Sequence, residues 1–229
     1  EQLCTAVTGE DGTAIFEQNL PFGSYYIKEL QAPDGFVSSD EIIEVTVSYQ
    51  GQDVEVVRLK EIFKNQPTTV EFRKSDLTTG VELDGATLTV LDKDGNEIDK
   101  WTSVKGEPHI IKRLHVGETY ILREEFAPYG YLKAEEVEFT ITDTAEIQKV
   151  EMKDDVPIGR IIINKKGEFL SEVSWNDMVA GAMDSIWGYV TGSLKDVTFE
   201  IYAREDIKAA DGESDDYYKK DELVATITT

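Results

Sequence analysis

The chain is poor in several residue types that chemistry commonly relies on. Its single cysteine, Cys4, excludes an internal disulfide, so any covalent stabilisation must come from other side chains. The plain expectation for Cys4 is a small buried core filler. The two histidines, His109 and His115, have no serine or cysteine nucleophile motif to accompany them, which leaves a hydrolytic triad without members. No glycine-rich phosphate loop is present. Basic residues are also scarce, 23 Lys and Arg against 46 Asp and Glu, and the net charge of -23 argues against nucleic acid and anionic membrane surfaces as partners. No apolar run approaches the roughly 18 residues of a membrane span, so no membrane insertion is expected in this segment.

What the chain does have is alternation and repetition. Short runs rich in Val, Ile, Thr, Tyr and Phe are separated by turns such as DKDG and PDG, the pattern of antiparallel β-sandwiches. The stretch YYIKELQAPDGF, Tyr25 to Phe36, is repeated as YILREEFAPYGY, Tyr120 to Tyr131. Aligning Glu29 with Glu124 also pairs Ala32 with Ala127, Pro33 with Pro128 and Gly35 with Gly130. Each copy follows a strand-like run, AIFEQNLPFG or HIIKRLHVG, and precedes another, EIIEVTVSY or EVEFTIT. VEFRKSD, Val70 to Asp76, resembles RIIINKK, Arg160 to Lys166, and LDGATLTVLD resembles LKDVTFEIYA. LCTAVTGEDG, Leu3 to Gly12, continues what VATITT begins at Val224.

The reading is therefore an all-β chain of tandem immunoglobulin-like or prealbumin-like antiparallel β-sandwiches, one complete and two partial. Residues 1–66 read as the C-terminal part of one domain, 67–156 as a complete domain, and 157–229 as the N-terminal part of a third. Beginning at Glu1 and stopping in mid-repeat, the chain reads as a piece of a longer one. The proline-containing joints NQPTT and DVPIG are expected to hold neighbours semi-rigidly. An insert, 169–194, carries Trp175, Val179, Ala182 and Ile186 at helical spacing; it reads as a packed amphipathic helix or as a ligand-binding loop. In the third domain, Asp196 and Val197 replace the small Gly-Ala pair, which is expected to weaken its register.

Alternation also says which ionisable residues face inward. Val70 and Phe72 point to the core, so Lys74 does too; Val150 and Met152 take Asp154 with them; Tyr120 and Leu122 take Glu124. Glu125 points the other way, to solvent. Stripping an ion of water costs several kcal/mol even after relaxation, so burying three such groups needs compensation. Desolvation favours neutral forms, and a buried lysine can present the free amine that nucleophilic attack needs. If Lys74 meets Asp154, the amine can add to the carboxyl carbon and expel water, while a protonated Glu124 polarises the carbonyl and shuttles protons. The amide would tie the first strand to the last and close the route by which a pulled sandwich opens. A plain buried salt bridge is the alternative.

A strand-borne Lys, the YxLxExxAPxGY box and a terminal Asp together resemble the Cna B-type (SpaA-like, prealbumin-like fold) domains of Gram-positive surface proteins and pilins. The resemblance implies autocatalytic Lys to Asp or Asn isopeptide bonds with a Glu catalyst, and assigns Lys74, Glu124 and Asp154 in the complete domain. It also assigns Glu29 and the acceptor Asn65 in the first, and the donor Lys165 in the third. It implies an extracellular, cell-wall or cell-surface stalk whose partners are neighbouring domains of the same surface protein, with host extracellular matrix or glycan as further candidates. It implies no cofactor, no metal and no enzyme beyond single-turnover self-crosslinking. Rival readings are a ligand-binding module and an accessory domain of an extracellular enzyme; head-to-tail pairing of partial domains between copies is a further one. No LPxTG-like motif and no lysine in a Tyr-Pro-Lys context occur, so a polymerising pilin shaft is unsupported. DKDGNEID, Asp92 to Asp99, places Glu97 and Ser103 where a calcium loop needs Gly and Glu, and reads as a hairpin turn; ADGESDD, Ala210 to Asp216, reads as an acidic loop.

Overall fold

The computed structural model describes residues 2–170 and 189–229. The strands are β1 (Gly23–Lys28), β2 (Ile42–Val47), β3 (Thr69–Asp76), β4 (Thr87–Leu91), β5 (Glu97–Thr102), β6 (His109–Lys112), β7 (Thr119–Phe126), β8 (Val137–Thr140), β9 (Gln148–Asp154), β10 (Lys166–Leu170), β11 (Tyr189–Ser193), β12 (Thr198–Tyr202) and β13 (Leu223–Thr228); the described residues contain no helix. A four-stranded sheet, β5-β4-β7-β8, faces a three-stranded one, β6-β3-β9. Between them lies the core, which includes Val70, Phe72, Leu88, Val90, Leu122, Ile141 and Met152. Phe72 meets Trp101 and Phe139 with ring centroids 5.4 Å apart in each pair, tilted and edge-on, as aromatic quadrupoles prefer. The alternation that identified these strands is the alternation of burial along them: β7 reads outward and inward in turn from Thr119 to Phe126.

One pairing departs from the antiparallel expectation. The first and last strands of the sandwich, β3 and β9, run parallel, in register from Val70 opposite Gln148 to Asp76 opposite Asp154. Parallel neighbours need a long crossover, here supplied by everything from β4 to β8.

Hairpins flank the sandwich in sequence. β1 and β2 pair as β7 and β8 do, and β12 and β13 pair as β4 and β5 do. Other strands expected from the repeats do not form. Leu3 to Gly12, Ala14 to Phe16 and Arg160 to Lys165 lie outside the strands, and Ile161 and Ile162 are exposed. A strand without a neighbour leaves its backbone groups unpaired, so local propensity alone does not hold it extended in a sheet. Cys4 is half-buried and free, not core filler. β10, which runs into the insert 169–194, pairs antiparallel with β11 near the insert's other end, and the helix expected around Trp175 to Ile186 lies outside the described residues.

The register expected to weaken at Asp196 is kept. Asp196 takes φ +60, the left-handed conformation that Gly85 takes at φ +82. Its N–H donates to Thr229 O as that of Gly85 donates to Ser103 O. Aspartate tolerates this region better than most side chains, which is why the substitution costs the turn little. Asp92 caps its own turn, accepting from the N–H groups of Asp94 and Asn96, so DKDG is a hairpin turn.

The joint before β3 is closely fitted. Thr68 is fully buried; its N–H donates to Gly35 O, its hydroxyl to Leu114 O, and its carbonyl accepts from Arg113 N. The Arg113 guanidinium lies 5.0 Å over the Phe36 ring. A Cβ on Gly35, at φ +80, would sit 2.5 Å from Arg113 O, whereas one on Gly95, at φ +83, would meet nothing. Gly95→Ala is therefore expected to lose only the backbone term, about 1–2 kcal/mol, and Gly35→Ala about 3 kcal/mol once overpacking is added. Urea unfolding of the two variants compares them, and equal losses would mean that the joint is not tightly packed.

Candidate functional site

Three charged side chains converge inside the sandwich. β3 carries Lys74 on its inner face, two residues beyond Phe72; β9 carries Asp154 two residues beyond Met152; β7, in the opposite sheet, carries Glu124 two residues beyond Leu122. Because β3 and β9 are parallel and adjacent, the Lys74 stem has only to lean along the sheet to reach Asp154. The Lys74 ammonium donates to Asp154 Oδ1 and lies 3.0 Å from Glu124 Oε1, and all three side chains have no exposed surface. Its approach to Glu124 is close without being aligned as a hydrogen bond, and Asp154 Oδ2 also lacks a hydrogen-bond partner among the described residues. One cation thus stands against two carboxylates, all three out of contact with bulk solvent. Burial pushes the Asp154 carboxyl up, to about 6; the Lys74 hydrogen bond and charge oppose this, and the Glu124 charge adds to it.

The turn after β7 ties this site together. Glu124 Oε2 accepts the Ala134 N–H at 2.7 Å. Tyr131 N–H donates to Pro128 O and Leu132 N–H to Asp155 O, with Gly130 at φ +91 making the bend. The Tyr131 hydroxyl donates to Asp76, which also accepts the N–H groups of Thr78 and Thr79. Burial pushes Asp76 up, but these hydrogen bonds outweigh it and hold the carboxyl below its ordinary value. Neither Asp76 nor the Leu132 and Ala134 amides stood out in the sequence. The repeat carried the signal, since equivalent amides sit after both boxes.

In the first copy of the box, Asn65 Nδ2 donates to both oxygens of Glu29, at 2.9 and 2.7 Å, and to Val37 O at 3.2 Å. Glu29 and Asn65 are half-buried. The structure brings this pair together, and it does not bring Lys165 to any of the other assigned residues. Lys165 is exposed and lies just before β10; its carbonyl accepts the Leu194 N–H as the Lys74 carbonyl accepts that of Leu83. Glu125 lies on the opposite face of β7 from Glu124 and is partly exposed. No group of metal-ligating side chains is found among the described residues.

A family model, the SpaA prealbumin-like fold domain, matches residues 2–61 and 68–156. The chain belongs to this family. Solved structures similar to it include the Bacillus anthracis TIE protein, at 24% identity over 85% of this chain and 38% of that one with a TM-score of 0.45. A streptococcal ancillary pilin is 28% identical over 61% of this chain and 43% of that one, with a TM-score of 0.34. The shaft pilin spaA from Lactobacillus rhamnosus GG is 18% identical over 70% of this chain and 72% of that one, with a TM-score of 0.37. The chain spans less than half the length of the first two. No curated protein matches it.

Within the SpaA sandwich at 68–156, Lys74 is the group that lowers the Asp154 pKa. Lys74→Met, similar in length but without the amine, is expected to move the Asp154 titration above about 6, read from its carboxyl ¹³C shift. An aspartate in the unfolded chain titrates near 3.8, so the folded state holds the extra proton between the two values. In Lys74→Met the contribution of Asp154 to stability is therefore fully present below about pH 4 and is lost as pH rises through the folded pKa. A titration near the ordinary value would mean that burial does not govern this carboxyl.

Proposed function

We propose that this chain is part of the structural stalk of a Gram-positive surface or pilus protein, stiffened by an internal amide between Lys74 and Asp154. The observation that carries the reading is the fully buried contact of the Lys74 ammonium with Asp154, with Glu124 Oε1 3.0 Å from the same nitrogen. Such a trio is a poor stabiliser as ions, and a reaction that removes two of the charges relieves it. The raised Asp154 pKa lowers the cost of passing a proton from Nζ to the carboxylate, giving an amine beside a carboxylic acid. Nζ then attacks Cγ of Asp154. Glu124 takes the proton that the nitrogen sheds and returns it to the departing hydroxyl, which leaves as water. The balance is one amide formed, one water released and Glu124 restored. Residues already in contact need no further ordering, which supplies the large effective molarity of an intramolecular step.

The same reading divides the chain at 1–66, 67–156 and 157–229. It makes Glu29 and Asn65 the catalyst and acceptor of the first domain, and Lys165 the donor of the third. Neighbouring domains of the same extracellular, wall-associated protein are the partners it requires.

Intact mass with peptide mapping tests the reading. The chain is expected to weigh one water less than its sequence, with Lys74 joined to Asp154, while Lys74→Ala and Glu124→Ala weigh their full sequence mass. A wild-type chain of full mass would reduce the trio to a buried salt bridge.

A further inference from the structure

The two boxes are followed by the same hydrogen bonds, although the described residues bring a lysine to only one of them. Ser39 N–H donates to Glu29 Oε2 at 3.0 Å and Ala134 N–H to Glu124 Oε2 at 2.7 Å, in each case from ten residues beyond the glutamate. Val37 N–H donates to Gln66 O and Leu132 N–H to Asp155 O, in each case the residue after the acceptor. Phe36 N–H closes on Pro33 O as Tyr131 N–H closes on Pro128 O, with Gly35 and Gly130 both at positive φ. One short loop therefore grips a carboxylate on one side and the residue after the acceptor on the other.

We infer that this loop is a two-point clasp that holds the glutamate and the end of β9 in place independently of the lysine amine. The Leu132 and Ala134 amides are positioning groups of the bond-forming site. The inference rests on the crosslinking reading for its consequence, but its geometry stands apart from it. Glu29 and Asn65 are the internal comparison: they sit in hydrogen-bond contact, clasped from Val37 and Ser39, with no lysine beside them among the described residues. There the acceptor amide itself donates to the glutamate; at the complete site Lys74 touches both carboxylates, and the loop amides add a second hold on Glu124 and on Asp155. A backbone donor suits this task because its direction is fixed by the loop and it holds no proton that the reaction could consume. Its charge-assisted bond to Oε2 leaves Oε1, the oxygen nearer Nζ, free for the proton transfer.

Two measurements test the clasp. In Lys74→Met, where no amide can form, the Leu132 and Ala134 amides are expected to exchange with solvent at least about tenfold more slowly than an open loop, and Glu124→Ala is expected to release Ala134 while Leu132 stays protected. Protection of the Val90 amide, in the core strand β4, reports whether each variant is folded. Open-loop exchange at Leu132 and Ala134 in a folded Lys74→Met would overturn the inference. The second measurement is the rate of water loss on refolding. Leu132→Pro and Ala134→Pro each delete one donor and are expected to slow it about tenfold or more. Leu132→Val and Ala134→Ser, which install the residues found after the first box, are expected to leave the rate within about threefold. Equal rates for the proline and the conservative variants would also overturn the clasp. If the wild-type chain loses no water, the crosslinking reading falls and the exchange measurement alone decides the clasp.

Discussion

A lysine ammonium enclosed with two carboxylates, out of reach of water, is the constraint around which the central sandwich is arranged. Each ion forfeits several kcal/mol of hydration there, and mutual attraction offsets this only if the three stay in contact. Contact in turn requires that β3 and β9 be neighbours, that the opposite sheet bring β7 over them, and that the core beneath be dry. Val70, Phe72, Leu122 and Met152, almost wholly buried on the same strands, supply that dryness. The hydrophobic effect closes the sandwich, and closure places the charges.

Much of this was legible from the period-two pattern alone, because a strand with one buried face leaves no freedom in where its next inner residue points. Lys74, Glu124 and Asp154 were found that way. The contact of Glu29 with Asn65 was not; it followed from the likeness of one box to the other. The parallel pairing of β3 with β9 could not be read, since periodicity says which side faces in but not which strand lies alongside. Failure at Arg160 to Lys165 has the same origin: alternation is necessary for a strand, and a partner makes it one. At Asp196 the error ran the other way. A loss of glycine looked damaging, but aspartate can adopt the same left-handed backbone, so the turn survives.

The backbone amides after each box show where side-chain reasoning stops. Every residue has an N–H, so sequence carries no mark of the few that matter. Only repetition of the whole stretch, including a glycine at the same bend, betrayed that something was being positioned. The Tyr131 hydroxyl works alongside them, binding Asp76 at the end of β3 and so holding the loop to β3 as well as to β9. The exposure of Leu132 and the partial exposure of Tyr131 are consistent with a loop that acts through its backbone and one hydroxyl rather than through packing.

Parallel alignment of β3 and β9 also fixes the path of the chain. Thr69 and Gln148 lie at one pole of the sandwich, Asp76 and Asp154 at the other. The chain therefore enters at one pole and leaves from the opposite one, roughly the length of an eight-residue strand away, about 25 Å. Had β9 run antiparallel to β3, entry and exit would share a pole, and successive units would branch sideways. In a chain built of such units, opposed poles would let each added unit extend the contour, so that reach would grow in proportion to the number of units.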